Sequence, residues 1–355
     1  MPSHPPEALT YRAAGVDIEA ADRIVEKIRA VAQRTHGPQV VPGLDAFAGL
    51  FRLGAPGPTL AASCDGVGTK LLVARALGRY RGLGQDLVAM NVNDLLPSGA
   101  RPLFFLDYVA AGRLEEAAIL ELVEGMAAAC LEAGCALLGG ETAEMPDVYR
   151  PGELDLAGFA VGLVRPGHAP DASALAPGDR VLALPSTGVH ASGLSLARRA
   201  LERAGLGLAQ PVPGLPGSLG EALLEPTPIY VAAVLQALAV AAGEVRAAAH
   251  VTGGGLLGRA ARLLPPSGSK QGAALGLRID AAAYRRPPIF DAIAQAGAVA
   301  ADEMARTFNM GLGFLLVVAP AGAERILSAP ATPWRAVGEV VAGGPRVDLG
   351  YARAA

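Results

Sequence analysis

Three carboxylates in the first half of the chain have the types and neighbours of a metal–nucleotide site. Asp65 opens Asp65-Gly66-Val67-Gly68-Thr69-Lys70, and Glu141 sits within Gly139-Gly140-Glu141-Thr142-Ala143-Glu144. Between them, Asn93-Asp94 reads as an acidic turn after the apolar run Leu87-Val88-Ala89-Met90. Carboxylate oxygens are hard ligands of the kind Mg²⁺ takes beside a polyphosphate. The glycines leave backbone N–H groups open to phosphate oxygens. Further along, Thr252-Gly253-Gly254-Gly255 precedes a predicted helix and reads as an anion loop. Each residue also has a plain structural reading. Asp65 and Glu141 could cap turns, Asp94 could be a helix N-cap, and Lys70 could be a solvated helix residue. His190 could be an ordinary loop histidine, Glu144 a structural acid, and His250 a packed histidine, which we set aside as a site residue.

Other chemistries find no support. Gly68-Thr69-Lys70 reverses the Walker order, and Gly253-Gly254-Gly255 is not the dinucleotide fingerprint. No zinc-protease helix motif and no nucleophile elbow occurs. Thirty Lys+Arg against 33 Asp+Glu leave a net charge of −3, which predicts no nucleic-acid partner. The most apolar stretches, 312–318 and 231–242, are too short to span a membrane. The opening MPSHPPEALT lacks a basic region followed by an apolar core. Cys64, Cys130 and Cys135 lack CxxC spacing and read as reduced thiols, so the expected location is the cytoplasm.

The elements that must position these residues alternate between α and β. At 355 residues the chain predicts two domains, divided at the Arg165-Pro166-Gly167 breaker into 1–167 and 168–355. Residues 1–16 are expected to be mobile, after which Asp17 caps a helix carrying Ile18, Ala21, Val25, Ile28 and Ala32 on one face. Residues 59–64 predict a strand feeding the Asp65 loop, 103–106 with Val109 a buried strand, and 136–138 a short strand that ends at the Gly139 turn. Ile119, Val123, Met126 and Cys130 mark a helix face, and 159–164 another strand. In the second half, 180–184 and 312–318 predict strands, while 193–204 and 229–242 predict helices. Residues 205–228 read as an irregular connector and 270–276 as an exposed loop.

Seven strings in order carry a resemblance from Tyr11 to about Phe314. They are YRAAGVDI from Tyr11, DGVGTKL from Asp65, DLVAMNVNDL from Asp86, PLFFLDY from Pro102, GGETAEMP from Gly139, HVTGGG from His250 and RTFN from Arg306. In these the chain resembles the phosphoribosylformylglycinamidine cyclo-ligase (AIR synthetase) family. The resemblance implies an α/β (α+β) fold with an N-terminal mixed-sheet domain forming the core of a homodimer and a C-terminal α/β domain. It also implies ATP-dependent ring closure of formylglycinamidine ribonucleotide through a phosphorylated amide, with Mg²⁺. On this reading Asp65, Asp94 and Glu141 hold the metal, and Asp94, His190 and Lys70 are the catalytic candidates. Asp65, Gly66, Gly68, Thr69, Asn93, Gly139, Gly140, Thr142, Thr252, Gly253, Gly254, Gly255 and Asn309 line ATP or substrate. The family usually has His-Ser-Asn-Gly where this chain has His190-Ala191-Ser192-Gly193, which removes an amide and a hydroxyl from that loop. Two alternatives are weighed: another ATP-dependent phosphoryl-transfer enzyme of the same superfamily, and a nucleotide-binding scaffold without turnover.

Overall fold

The computed structural model describes residues 8–41, 48–54, 56–211, 214, 217–266, 275–344 and 346–350. Among them, the first unit is a five-stranded sheet, built from β1 (Gly49–Arg52), β2 (Thr59–Gly66), β3 (Ala100–Ala111), β4 (Ala136–Glu144) and β5 (Leu154–Val164). Its order is β1-β2-β5-β3-β4, and it is mixed because β3 and β4 run parallel while the other pairs are antiparallel. Parallel neighbours need a crossover, and the helix from Glu116 to Ala133 supplies it.

Four helices belong to this half: α1 (Ile18–Ala32), α2 (Lys70–Leu77), α3 (Arg81–Leu95) and α4 (Glu116–Ala133). Asp17 caps α1 as expected, its side chain accepting from Ala20 N at 2.9 Å. α3 lies between the sheet and α4, and most of its residues are buried, polar Asp86, Asn91, Asn93 and Asp94 among them, so its sequence carries no apolar stripe. Gly84 and Gly125 let α3 and α4 meet backbone to backbone: a Cβ on Gly84 would lie 2.1 Å from Leu122 O. Among the described residues no helix covers the opposite face of the sheet, which exposes Cys64, Tyr108 and Phe159.

The second sheet has the order β11-β8-β10-β6-β9-β7. It comprises β6 (Arg180–Pro185), β7 (Val245–His250), β8 (Leu275–Ile279), β9 (Leu312–Val318), β10 (Arg335–Ala342) and β11 (Val347–Asp348). β9 is buried along its whole length because both its faces are covered: Phe314, Leu316 and Val318 pack into one core and Leu315 and Val317 into another. Its helices are α5 (Leu194–Arg203), α6 (Leu219–Leu224), α7 (Val231–Val240), α8 (Gly255–Ala261), α9 (Ile289–Gly297), α10 (Ala301–Thr307) and α11 (Pro320–Ser328). α6, closed by a Ser218–Glu221 capping box, lies inside the segment expected to be irregular.

Residues 8–16 dock on the second half: Leu9 N donates to Gly297 O at 3.3 Å and Tyr11 N to Glu303 Oε1 at 2.6 Å. Residues 1–7 of the expected mobile segment, and 270–274 of the expected loop, lie outside the described residues. Leu275 and Gly276 begin β8.

Candidate functional site

Two of the three predicted carboxylates stand together. Asp65 lies near the end of β2, and its own Oδ1 accepts from Gly66 N at 2.8 Å. Asp94 is not in a turn: it is the penultimate residue of α3, a helix that the apolar run disguised. Asn91, one turn earlier, donates from Nδ2 to Asp65 O at 3.2 Å and ties the helix to the strand. The Asp65 carboxyl is raised above its ordinary range, first by burial and then by the charge of Asp94; the Gly66 N–H, His250 and Arg259 oppose the rise. The charge of Asp94 therefore acts on the Asp65 carboxyl, which places the two acids in one electrostatic neighbourhood.

Glu141 is not part of this pair. Asp65, Gly158, Asp107 and Gly140 form one register row across β2, β5, β3 and β4, and Gly66, Ala157, Tyr108 and Glu141 form the next. Side chains alternate faces along a strand, so Glu141 projects from the face opposite to Asp65. Gly158 places the Asp65 row against α3, because a Cβ there would lie 2.6 Å from Asn91 Nδ2. Among the described residues no three of His, Cys, Asp and Glu cluster in a metal-binding arrangement. The predicted turn at Gly139 is likewise extended strand, since β4 runs through Gly139, Gly140 and Thr142 to Glu144. Glu144 Oε2 accepts from Leu114 N at 2.8 Å, a structural bond.

The C-terminal half brings a histidine to Asp94. His250 ends β7, and its Nδ1 lies 2.7 Å from Asp94 Oδ1 with the ring wholly buried. The carboxylate accepts, so Nδ1 carries the proton. The ring stacks on Phe314 (24° between planes) and meets Tyr230 edge-on (70°). His250 is a site residue that the sequence alone leaves as a packed histidine; the available signal is its position directly before Val251-Thr252-Gly253-Gly254-Gly255. Beside it, Thr252 is buried, Gly253 is exposed, and Gly254 (φ 88°) and Gly255 (φ 62°) turn the chain into α8. Gly255 is required on space as well, since a Cβ there would meet Ala305 O at 2.4 Å. Arg259 Nε donates to Gly253 O at 2.7 Å, and burial and Arg262 push its guanidinium down to about 10 while Asp94, Asp65 and Asp22 oppose.

His190 sits behind this group. It is almost fully buried, holds a left-handed φ of 58°, and among the described residues neither ring nitrogen has a hydrogen-bond partner. Burial, with the charges of His250 and Lys70, holds its pKa well below the ordinary histidine range, so the ring is neutral. Its loop is pinned by Asn309, whose Nδ2 donates to Gly188 O at 2.8 Å and whose Oδ1 accepts from Ser186 Oγ at 2.8 Å and Gly311 N at 2.9 Å. Gly313 leaves room for the histidine and Tyr230, since a Cβ there would stand 1.8 Å from Tyr230 Oη. Asn309 is thus placed as a loop fastener.

Lys70 and Asn93 are placed as fasteners too. Lys70 Nζ is 2.6 Å from Asp86 Oδ2 and donates to Glu225 O at 2.8 Å, with both side chains at 0% exposure. Asp86 Oδ1 accepts from Thr227 N at 2.9 Å and Thr227 Oγ1 at 2.6 Å. Asn93 accepts from Tyr230 N at 2.9 Å and donates to Pro228 O at 2.9 Å. α2 and α3 therefore clamp segment 225–230 of the other half. Thr69 Oγ1 lies 3.1 Å from Ser195 Oγ, a further bond between the halves, and Gly68 (φ 54°) turns the chain between Asp65 and α2.

The raised Asp65 pKa gives a signed expectation. The folded state holds that proton more tightly than the unfolded chain, so stability falls as pH rises from the ordinary carboxylate range through the raised value. Asp65→Asn removes the buried charge while its amide oxygen can still accept from Gly66 N. The variant should therefore melt above the wild type at neutral pH and lose that advantage in acid; calorimetry at both pH values checks this.

Comparison with known proteins gives a consistent picture. Residues 46–164 match the model for the AIR synthase related protein N-terminal domain, and residues 176–350 match its C-terminal counterpart. The chain is 48% identical to phosphoribosylformylglycinamidine cyclo-ligase from Sorangium cellulosum over 91% of either chain. It is 47% identical to the protein of the same name from Carboxydothermus hydrogenoformans, over 97% of this chain and 99% of that one. Among solved structures, thiamine monophosphate kinase from Aquifex aeolicus superposes with a TM-score of 0.59 at 19% identity, covering 92% of this chain and 96% of that one. Hydrogenase maturation protein HypE from E. coli gives 0.57 at 20% identity, covering 88% of each. These two are likenesses of fold. With both domain models matched in order and relatives near half identity over nine-tenths or more of their length, the chain belongs to the phosphoribosylformylglycinamidine cyclo-ligase family.

Proposed function

We propose that this protein uses ATP to close the imidazole ring of aminoimidazole ribonucleotide from formylglycinamidine ribonucleotide, releasing ADP and phosphate, in purine biosynthesis. The observation that carries the reading is the Asp65–Asp94 pair beside the Gly253–Gly255 turn, in a chain that shares nearly half its residues with enzymes of that name.

The donor set fits Mg²⁺. A divalent ion relieves the charge that Asp94 places on the buried Asp65 carboxyl, and Mg²⁺ commonly takes one or two protein carboxylates, with water and phosphate completing its shell. When bound, the metal neutralises charge on the polyphosphate during transfer. Asp65 and Asp94 would hold it. The backbone N–H groups of Gly253 and Gly254, with Arg259 close by, favour phosphate oxygens on the same side, while the Gly255 N–H is taken by Thr252 O. His190, neutral and fixed by its loop, suits an orienting role at the substrate end better than that of a proton donor at neutral pH.

Phosphorylating the formamide oxygen converts a poor leaving group into phosphate, after which the amidine nitrogen closes the ring. The chain provides positioning and charge, which is what phosphoryl transfer asks of a protein. The uncovered sheet face with Tyr108 and Phe159 supports a homodimer through the N-terminal sheets; a monomer in sedimentation at micromolar concentration would exclude it. Three cysteines without a disulfide suit a reducing cytoplasm.

The test is ADP release measured with and without formylglycinamidine ribonucleotide. ADP should appear only with that substrate and match aminoimidazole ribonucleotide formed one to one. ATP hydrolysis indifferent to the substrate would exclude the ligase.

A further inference from the structure

Asp94 carries its ligand role on the last turn of α3, yet the bond that fixes its carboxylate comes from the other half of the chain. We propose that His250 is the positioning residue for Asp94: its Nδ1–H holds Oδ1 and so presents Oδ2 to the divalent ion. This rests on the reading of Asp94 as a metal ligand.

Three observations carry it. First, the contact is short, at 2.7 Å, and buried on the histidine side, so no water competes for Nδ1. Second, the ring is hemmed in by two aromatic neighbours, Phe314 inclined 24° to it and Tyr230 edge-on at 70°. Tyr230 is itself held at both ends, by Asn93 Oδ1 on its backbone N–H (2.9 Å) and by Pro185 O on its hydroxyl (2.8 Å). Third, α3 supplies Asp94 no competing partner: apart from His250, no described hydrogen bond or ion pair engages its carboxylate. A carboxylate with one oxygen occupied offers a metal one oxygen and one direction, which is how outer partners tune a ligand. The C-terminal half then takes part in the metal site without touching the metal.

The experiment is a Mn²⁺ titration by electron paramagnetic resonance, with a non-hydrolysable ATP analogue present, on the full chain. His250→Leu should weaken Mn²⁺ binding by about 10- to 100-fold. His250→Asn sets an amide N–H where Nδ1 was and should bind within about threefold of wild type; His250→Gln, whose amide reaches the Nε2 position instead, should resemble leucine. This order separates positioning from packing, because both amides disturb the stack on Phe314 while one restores the bond. If the leucine variant does not fold, the asparagine–glutamine comparison decides alone. Equal affinity for these two, or a leucine variant within twofold of wild type while Asp94→Asn binds poorly, overturns the inference and leaves Asp94 as ligand. Unchanged Mn²⁺ binding by Asp94→Asn overturns the ligand reading, and this inference with it.

Discussion

Asp94→Asn should lower turnover by about 10³-fold, a loss of roughly 4 kcal/mol of transition-state stabilisation. The amide is isosteric, so α3 and its packing remain; what disappears is the Asp94 charge, which acts on Asp65 at the end of β2. The Nδ1–H of His250 can still donate to the amide oxygen, so the fold contact survives if the amide orients that way. The loss should therefore appear in kcat with a melting temperature close to wild type. Steady-state kinetics at saturating Mg²⁺, with calorimetry on the same preparation, measures both. Activity within a few-fold of wild type would remove Asp94 from the site.

Lys70→Met should do the reverse, costing about 3–5 kcal/mol of stability, because Asp86 is left as a buried charge without its cation. Glu225 O loses its donor as well, and with it part of the clamp on segment 225–230. Adding Asp86→Asn should recover much of that cost. The double variant removes the stranded charge while an amide oxygen still accepts from Thr227 N and Oγ1. Chemical denaturation of the two variants gives the coupling directly. For whatever fraction stays folded, the KM for ATP should be unchanged. A higher KM with unaltered stability would show that Lys70 reaches the polyphosphate after all.

The legible parts of the fold were those set by local chemistry. Asp17 with its helical stripe gave α1, and a seven-residue apolar run gave β9 with its limits. What stayed hidden depended on partners distant in sequence. α3 read as an apolar run and a turn because a helix buried on all sides carries no period, and that concealed the direction of Asp94. β4 read as ending at Gly139-Gly140 because glycine pairs commonly mark turns. Its actual continuation flips Glu141 away from Asp65, since strand alternation is absolute once the register is set.

Lys70 beside a Gly-Thr pair looks like a phosphate contact in one dimension; only the fold brings Asp86 and the carbonyl of Glu225 to it. His250 shows the same limit from the other side. A histidine at a strand end is ordinary until an acid from the other half of the chain arrives at 2.7 Å.

The central claim is that ATP activates the substrate by phosphorylating its amide oxygen, and the fate of that oxygen tests it. Formylglycinamidine ribonucleotide labelled with heavy oxygen in the formamide group is turned over with unlabelled ATP and water, and the phosphate is analysed by mass spectrometry. The account predicts one labelled oxygen in inorganic phosphate for each ring closed, because the oxygen must leave with the phosphoryl group when nitrogen displaces it. Unlabelled phosphate, with the heavy oxygen recovered in water, would contradict it.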